Sequence, residues 1–279
     1  MKEIKITDIE GIRVGNAQDT EAGTGCTVII CEKGGCAGVD VRGGGPASQE
    51  TELLNPINTV NRVHGIVLSG GSAFGLEATS GVMQYLEERG IGFDVGIGVV
   101  PIVFGASLFD LTVGSSKVRP NKAMGYQACC NSEKNCIQEG NCGAGTGASV
   151  GKYRGMDRAM KSGLGIYCVE LENLKVGAIV GVNAIGNVID SETNKFLAGL
   201  LNEEKVDIGN VKVDIQSAKV DIGNVLFKKN NGFSAKTIAH IHRLFVEFGF
   251  DEAFGRSAVM ELLALKGSGA SKLLSNLVQ

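Results

Sequence analysis

Short apolar runs separated by glycine-rich turns fill the first two hundred residues of the chain. Residues 65–68 form such a run, residues 69–71 a turn, and apolar positions then recur at helical spacing from residue 72 to residue 90. This pattern predicts a strand, a turn and a helix capped by Ser72. A second helix is predicted over residues 148–162. Further strands are predicted at residues 26–31, 37–42, 165–170 and 176–182. Strands and helices mixed in this way indicate an α/β or α+β domain.

The pattern changes near residue 205. The unit Lys-Val-Asp-Ile begins at residues 205, 212 and 219, and its Val and Ile lie two positions apart, which favours short extended pieces over a helix. Beyond it, Ser234, Ser257 and Ser268 are each placed to cap a short helix, which gives a helix-turn-helix outline. We therefore predict three regions: a domain at 1–205, a heptad-repeat linker at 206–229 and a helical tail at 230–279.

Composition and charge exclude several classes of protein. Hydrophobic residues make up 43% and charged residues 20% of the 279 residues, so the chain can bury a large core. A net charge of −3 argues against a protein that binds nucleic acid over its whole chain and against a polybasic membrane module. No apolar run reaches the roughly 18–20 residues of a membrane span, and the N-terminus shows no apolar signal core. We expect a soluble cytoplasmic protein.

Eight cysteines could suggest disulfides or a metal site. The chain is larger than a typical disulfide-rich secreted domain, so reduced thiols are expected. The cluster Cys129, Cys130, Cys136 and Cys142 contains no C-x-x-C pair and has no histidine nearby. We expect no metal site in this cluster.

Two further motifs resemble catalytic or nucleotide-binding signatures without matching them. Ser72 follows a strand and a turn, as the nucleophile of many serine hydrolases does, but the motif lacks the second glycine of G-x-S-x-G, and His64 is the only histidine before residue 240. The segment 145–152 ends in Gly-Lys, but it lacks the spacing and the Ser or Thr of a phosphate loop. We reject both a Ser-His-Asp triad and nucleotide binding by this route.

A series of blocks from about residue 6 to Gly199 resembles the L-aminopeptidase/D-esterase family, which includes β-aminopeptidases and nylon-oligomer hydrolases. The resemblance covers roughly seven tenths of the chain. It is carried by Arg42-Gly43-Gly44-Gly45-Pro46 with Glu50-Thr51, Val67-Leu68-Ser69-Gly70-Gly71-Ser72-Ala73-Phe74-Gly75-Leu76, Tyr85-Leu86-Glu87-Glu88-Arg89-Gly90-Ile91-Gly92-Phe93, Arg119-Pro120 with Gly125-Tyr126, Gly143-Ala144-Gly145-Thr146-Gly147-Ala148, Lys161-Ser162-Gly163-Leu164-Gly165 and Val182-Asn183-Ala184-Ile185-Gly186.

This resemblance implies a four-layer α-β-β-α sandwich that matures by self-cleavage. The freed N-terminal Ser or Thr would be the nucleophile and its own α-amine, with an ordinary pKa of about 7.7–8.0, the general base. The family's oxyanion-stabilising Tyr and Asn map onto Tyr126 and Asn183, and a site lysine maps onto Lys161. A small peptide or amide substrate, assembly as a homo-oligomer and no cofactor are also implied.

The family's nucleophile segment has no clear match downstream of Asn183. Ser234 and Thr237 are the weak candidates, and a chain without a nucleophile would be inactive. The tail instead resembles a truncated winged helix of predicted transcriptional regulators. The alternative is therefore a DNA-binding or scaffold protein that carries a catalytically dead enzyme-like domain. Residues 206–279 have a net charge of only +2, which gives a weak basis for phosphate contacts. A fusion of two unrelated reading frames is a third interpretation.

Overall fold

A five-stranded β-sheet, a three-stranded β-sheet, three two-stranded ladders and two α-helices make up the part of the chain that the computed structural model describes, namely residues 2–41, 45–134, 136–190 and 196–201. The α-helices are α1 (Ala78–Glu87) and α2 (Lys122–Ser132). Short 3₁₀ helices span Ile6–Asp8, Thr51–Leu54, Ser72–Glu77, Gly143–Gly145, Lys152–Arg154 and Met156–Arg158. The strands are β1 (Lys2–Glu3), β2 (Arg13–Asp19), β3 (Thr24–Gly35), β4 (Ser48–Gln49), β5 (Val63–Ser69), β6 (Phe93–Asp94), β7 (Val99–Val100), β8 (Val103–Ser107), β9 (Ser149–Val150), β10 (Met160–Lys161), β11 (Leu164–Leu171), β12 (Leu174–Gly181), β13 (Val188–Ile189) and β14 (Phe196–Ala198).

The larger sheet has five strands in the order β2-β3-β5-β8-β4. Strand β3 runs antiparallel to β2 and β5, whereas β5 and β8 are parallel and are joined through α1. Successive side chains of a strand point to opposite sides of the sheet. Consecutive residues of its central strands are buried, so both faces of this sheet are covered. Val28, Val67 and Val103 pack with the helices on one face, and Ile29 and Phe104 pack into the core on the other.

The second sheet covers the face of the larger sheet that lies away from the helices. Its order is β1-β11-β12, and β11 and β12 form a regular antiparallel hairpin from Leu164↔Gly181 to Leu171↔Leu174. Leu164, Ile166 and Ile179 of this sheet share one apolar cluster with Phe104 and Leu108 of the larger sheet and the loop after it. The described residues therefore form three layers: helices, sheet and sheet.

Several predicted elements are correct. The runs at 26–31, 65–68 and 165–170 lie inside β3, β5 and β11, and the run at 176–182 matches β12 to within two residues at either end. The helical pattern at 72–90 corresponds to a 3₁₀ turn followed by α1. The prediction of Ser72 as the helix cap is wrong: Gly71 occupies that position, and Ser72 is the first helical residue, with a left-handed φ of 55°.

Other predicted elements are wrong for local reasons. Residues 37–41 form no strand, because β3 continues to Gly35 and pairs it with Val63 across an irregular register. The helix predicted at 148–162 is replaced by β9, two 3₁₀ turns and β10, with Gly151 at φ 71° and Gly155 at φ 109° interrupting any helix. Helix α2 was not predicted. Its N-terminal signal is Asn121, whose side chain accepts a hydrogen bond from the Met124 N–H at 3.0 Å.

Three of the four layers of the predicted α-β-β-α sandwich are present in the described residues, and a second helical layer is not among them. The predicted linker at 206–229 and the helix-turn-helix tail at 230–279 lie outside the described residues, as does Arg42 of the first glycine-rich block. Within the described part of the chain, no helix has the length and apolar character needed to cross a membrane.

Helices α1 and α2 approach each other so closely that backbone meets backbone. A Cβ added at Gly81 of α1 would lie 1.9 Å from the Lys122 carbonyl oxygen, and one added at Gly125 of α2 would lie 2.0 Å from the Ala78 carbonyl oxygen. No side chain fits at either position. The two glycines therefore set the distance between the helices.

Gly81→Ala and Gly125→Ala should each lower the free energy of unfolding by at least about 2 kcal/mol, since overpacking a close contact forces backbone shifts. At an exposed helical glycine the same substitution would raise the free energy of unfolding, because alanine is the better helix former. Urea unfolding followed by circular dichroism measures the change.

Gly98→Ala is the matched control, because a Cβ there meets no atom within 4 Å. Its stability should stay within about 0.5 kcal/mol of the parent chain. Equal effects of all three substitutions would contradict the packing argument.

Candidate functional site

Asn183 lies in a buried polar cluster between the end of β12 and the β9 strand. Its Oδ1 accepts hydrogen bonds from the Lys152 ammonium group at 2.7 Å and from the Ser149 N–H at 3.3 Å. Its Nδ2 donates to the Phe109 carbonyl at 3.1 Å. Only 5% of the residue is exposed. Hydrogen bonds to both ends of the carboxamide therefore identify Oδ1 as the acceptor and Nδ2 as the donor.

Lys161 joins this cluster through the short ladder of β9 and β10. It is the register partner of Ser149, so both side chains stand on the same face of that ladder. Its ammonium group donates to the Thr146 carbonyl. The Ser149 hydroxyl is buried and has no hydrogen-bond partner among the residues that the structure describes. We call Asp110, Thr146, Ser149, Lys152, Lys161 and Asn183 the polar cluster.

Asp110 provides the negative charge of the polar cluster. It follows β8 and is 2% exposed; Oδ1 accepts the Gly71 N–H at 2.6 Å, and Oδ2 accepts the Thr24 hydroxyl at 2.8 Å. A Cβ added at Gly70 would lie 1.8 Å from Oδ2, and one added at Gly147 would lie 2.5 Å from the Asp110 Cβ. The glycines at 70 and 147 let two backbone segments approach this carboxyl group directly.

Burial favours the neutral forms of Asp110, Lys152 and Lys161 and shifts the pKa of each accordingly. It lowers the pKa of both Lys152 and Lys161 to about 8, and the Asp110 charge partly opposes this effect. Burial also raises the pKa of Asp110, against the Gly71 and Thr24 hydrogen bonds. The two lysines can therefore exchange protons in the physiological range, which an exposed lysine does poorly.

The polar cluster offers chemistry suited to an anionic species. It combines two ammonium groups, a carboxamide and two hydroxyls with a single carboxyl group, so hydrogen-bond donors and basic groups are in excess. Such groups, fixed in a buried site, stabilise negative charge that develops on an oxygen. Within the described residues no three His, Cys, Asp or Glu side chains come together as a metal-binding group.

The structure brings Asn183 and Lys161 into one cluster but does not bring Tyr126 to it. Tyr126 lies on α2 in the helix layer, where its hydroxyl donates to Glu88 Oε2 at 2.7 Å and its ring packs edge-on to Tyr85 with centroids 5.7 Å apart. Asn183 lies on the far side of the five-stranded sheet. Ser234 and Thr237 lie outside the described residues.

His64 and Ser72 occupy opposite ends of the β5 region. The buried His64 ring accepts the Ile102 N–H at its Nδ1 at 3.2 Å, and burial lowers the pKa of this histidine. The extended chain of β5 runs about 17 Å from His64 to Ser69, and Ser72 lies beyond the turn that follows. The two side chains therefore form no catalytic pair.

Sequence reasoning missed four members of the polar cluster: Asp110, Thr146, Ser149 and Lys152. A signal was present for Asp110, which is the first charge after a long apolar run. The segment 145–152 holds the other three; its pattern resembles a phosphate loop without matching one, and its first four residues belong to a block of the family resemblance. Its significance depends on the extended conformation of β9, whereas the sequence pattern predicted a helix.

Comparisons with known proteins agree with the resemblance seen in the sequence. The family model described as peptidase family S58 matches residues 5–243. An uncharacterized aminopeptidase of Mycobacterium tuberculosis is 42% identical over 208 residues, which are 71% of this chain and 58% of that protein. A 6-aminohexanoate-oligomer endohydrolase of Kocuria sp. is 33% identical over 183 residues, 66% of this chain and 49% of that protein. The chain thus spans less than two thirds of these relatives.

Solved structures support the fold. An L-aminopeptidase D-Ala-esterase/amidase of Ochrobactrum anthropi, described as a variant of the Ntn hydrolase fold, has a TM-score of 0.51 at 21% identity and covers 64% of this chain and 53% of its own. A β-aminopeptidase of Burkholderia sp. has a TM-score of 0.55 at 19% identity, and the match covers 93% of this chain and 72% of the β-aminopeptidase chain. None of these four proteins is described as DNA-binding, so the winged-helix resemblance gains no support.

The lowered lysine pKa values predict how stability changes with pH. Between pH 8 and about 10.5 the unfolded chain binds more protons at these lysines than the folded chain, so their contribution to the free energy of unfolding rises with pH. Lys152→Met and Lys161→Met should each remove part of that rise. Urea unfolding at pH 7.5, 8.5 and 9.5 measures the slope.

The exposed Lys134 supplies the control: Lys134→Met should leave the slope of the parent chain unchanged. If the Lys152 and Lys161 variants follow the parent curve in parallel across this range, their ammonium groups are not desolvated as described.

Proposed function

The chain belongs to peptidase family S58, and we propose that it is an amidohydrolase of the N-terminal-nucleophile type. Its substrates would be small peptides or amides with a free amino-terminal or β-amino residue. The observation that carries this proposal is the polar cluster, in which Asn183 and Lys161, both expected from the family resemblance, lie together with the buried Lys152 ammonium group and the Asp110 carboxyl group.

The chemistry is acyl transfer. A Ser or Thr hydroxyl attacks the substrate carbonyl while its own α-amine accepts the hydroxyl proton. That proton passes to the leaving amine as the C–N bond breaks, and water then hydrolyses the acyl-enzyme ester. An α-amine has an ordinary pKa near 8, so this cycle needs no histidine, in a chain that contains three.

The nucleophile in this proposal is released by cleavage of the chain. Ser234 and Thr237 are its weak candidates, and a chain that lacks a competent nucleophile would keep the fold without the activity. The family match runs to residue 243 and so includes both positions.

Asn183 is the proposed oxyanion donor. Its Oδ1 faces Lys152 and the Ser149 N–H, so its Nδ2 is the donating end of the carboxamide. Lys161 is the proposed site lysine, and its pKa of about 8 suits it to proton exchange at neutral pH. Tyr126 stays a candidate on the resemblance alone, because its hydroxyl donates to Glu88 in the helix layer.

Assembly as a homo-oligomer and a cytoplasmic location remain predictions of the sequence. DNA binding is the weaker alternative, since neither the family nor the relatives support it. Size-exclusion chromatography with light scattering tests whether the chain forms a homo-oligomer, and a gel shift with duplex DNA at low salt tests DNA binding.

Two measurements test the proposal together. Mass spectrometry of the purified chain should find two fragments, the second beginning with Ser or Thr, and the processed protein should hydrolyse one of three probes: an L-amino-acid p-nitroanilide, a β-alanine p-nitroanilide or a 6-aminohexanoate oligomer. An uncut chain that nevertheless cleaves these amides would contradict the mechanism, and an uncut, inactive chain would contradict the activity.

Asn183→Ala should lower kcat by about 100-fold or more, which is the usual effect of losing one oxyanion donor. KM should change little, because the interaction forms in the transition state. Asn58→Ala removes an exposed asparagine side chain far from the polar cluster and is the matched control. Equal activity of the two variants would remove Asn183 from the proposed machinery.

A further inference from the structure

Lys152 contacts Asn183 at two atoms. Its ammonium group donates both to the Asn183 main-chain carbonyl at 3.0 Å and to Oδ1 at 2.7 Å. We propose that Lys152 is a positioning residue that fixes the orientation of the Asn183 carboxamide. The kinetic consequence of this role rests on the proposed function, whereas the orientation itself does not.

The orientation follows from what each neighbour can do. The two ends of a carboxamide have nearly the same shape, and an ammonium group has hydrogen-bond donors but no acceptor. Rotating the carboxamide by 180° would place Nδ2 against the Lys152 charge and the Ser149 N–H, and would turn Oδ1 toward the Phe109 carbonyl. All three contacts would become repulsive, so one orientation is strongly preferred.

Lys152 is itself held in place by the local backbone. It begins a 3₁₀ turn directly after Gly151, which has a left-handed φ of 71° and whose N–H donates to the Gly186 carbonyl at 2.8 Å. A Cβ at Gly151 would lie 2.2 Å from the backbone of Gly199. The position that carries the ammonium group is thus fixed by packing on the segments that flank Asn183.

The charge at this position has a cost that a neutral side chain would avoid. Burying an ammonium group is unfavourable, and a methionine of similar length could fill the same space. The Asp110 charge acts on Lys152, and it also acts on Lys161, which lies on β10. A purely space-filling role would not need this arrangement of charges, whereas selection of one carboxamide orientation does.

Nuclear magnetic resonance of the Asn183 side-chain amide tests the contact without reference to activity. The sample is the full chain with ¹⁵N-labelled asparagine, and the Asn183 signals are assigned from their loss in Asn183→Ala. In the parent chain these signals should shift with pH with a midpoint near 8, as Lys152 loses its proton. The shift should disappear in Lys152→Met and persist in Lys161→Met.

Unchanged Asn183 signals in Lys152→Met would overturn the proposal. So would a titration that Lys161→Met abolishes while Lys152→Met preserves it, since the coupled group would then be Lys161. Thermal unfolding of each variant verifies that the compared chains are folded. If Lys152→Met does not fold, Lys152→Arg, which keeps a hydrogen-bond donor, takes its place in the comparison.

A kinetic double-mutant cycle tests the consequence for the reaction. Lys152→Met should lower kcat at least tenfold with KM within about threefold, because a misplaced group costs about 10- to 100-fold in rate. The double variant Lys152→Met/Asn183→Ala should be no slower than Asn183→Ala alone, since a residue that acts through Asn183 has no effect once that side chain is gone. Lys152→Arg should recover part of kcat.

Additive losses in the cycle would mean that Lys152 acts independently of Asn183, which overturns the proposal. If the parent chain cleaves none of the amide probes, the proposed function fails on its own, and the magnetic resonance titration then decides the positioning role by itself.

Discussion

The buried carboxyl group of Asp110 is the interaction on which the rest of the site depends. It follows β8 and accepts hydrogen bonds from the turn after β5 and from the start of β3, so it connects three neighbouring parts of the larger sheet. Its charge also acts on the ammonium groups of Lys152 and Lys161. The Asp110 carboxyl group thus links the larger sheet electrostatically to the segments around Asn183. Its charge partly offsets the lowering of the two lysine pKa values by burial.

Glycine makes this arrangement sterically possible. The backbone passes so close to Asp110 at Gly70 and Gly147 that a β-carbon at either position would overlap it, and Gly151 meets the 199–200 segment in the same way. The high glycine content of this chain, 41 residues, therefore has a specific use at the site: it lets main-chain groups and buried charges come into contact without intervening side chains. The same principle sets the distance between α1 and α2.

The sequence predicted the sheets better than the site. Apolar runs such as residues 26–31 and 65–68 become strands because both faces of the larger sheet are buried, and continuous apolar patterns survive in such strands. The segment 148–162 was misjudged because small and polar residues carry little periodicity, and two left-handed glycines decide its conformation. Asn183 and Lys161 were reached through family resemblance, but their proximity depends on the pairing of β9 with β10 and on the position of β12.

By itself, then, the sequence determined the family, four strands of the two larger sheets (β3, β5, β11 and β12) and two residues of the polar cluster, because these follow from local composition and from motifs that are contiguous in the chain. Only the tertiary structure decided that Asp110 and Lys152 belong to the same cluster and that Tyr126 lies in the helix layer. Contacts of this kind join residues 30 to 40 or more positions apart through sheet register and glycine packing, and a hydrophobic pattern carries no information about either.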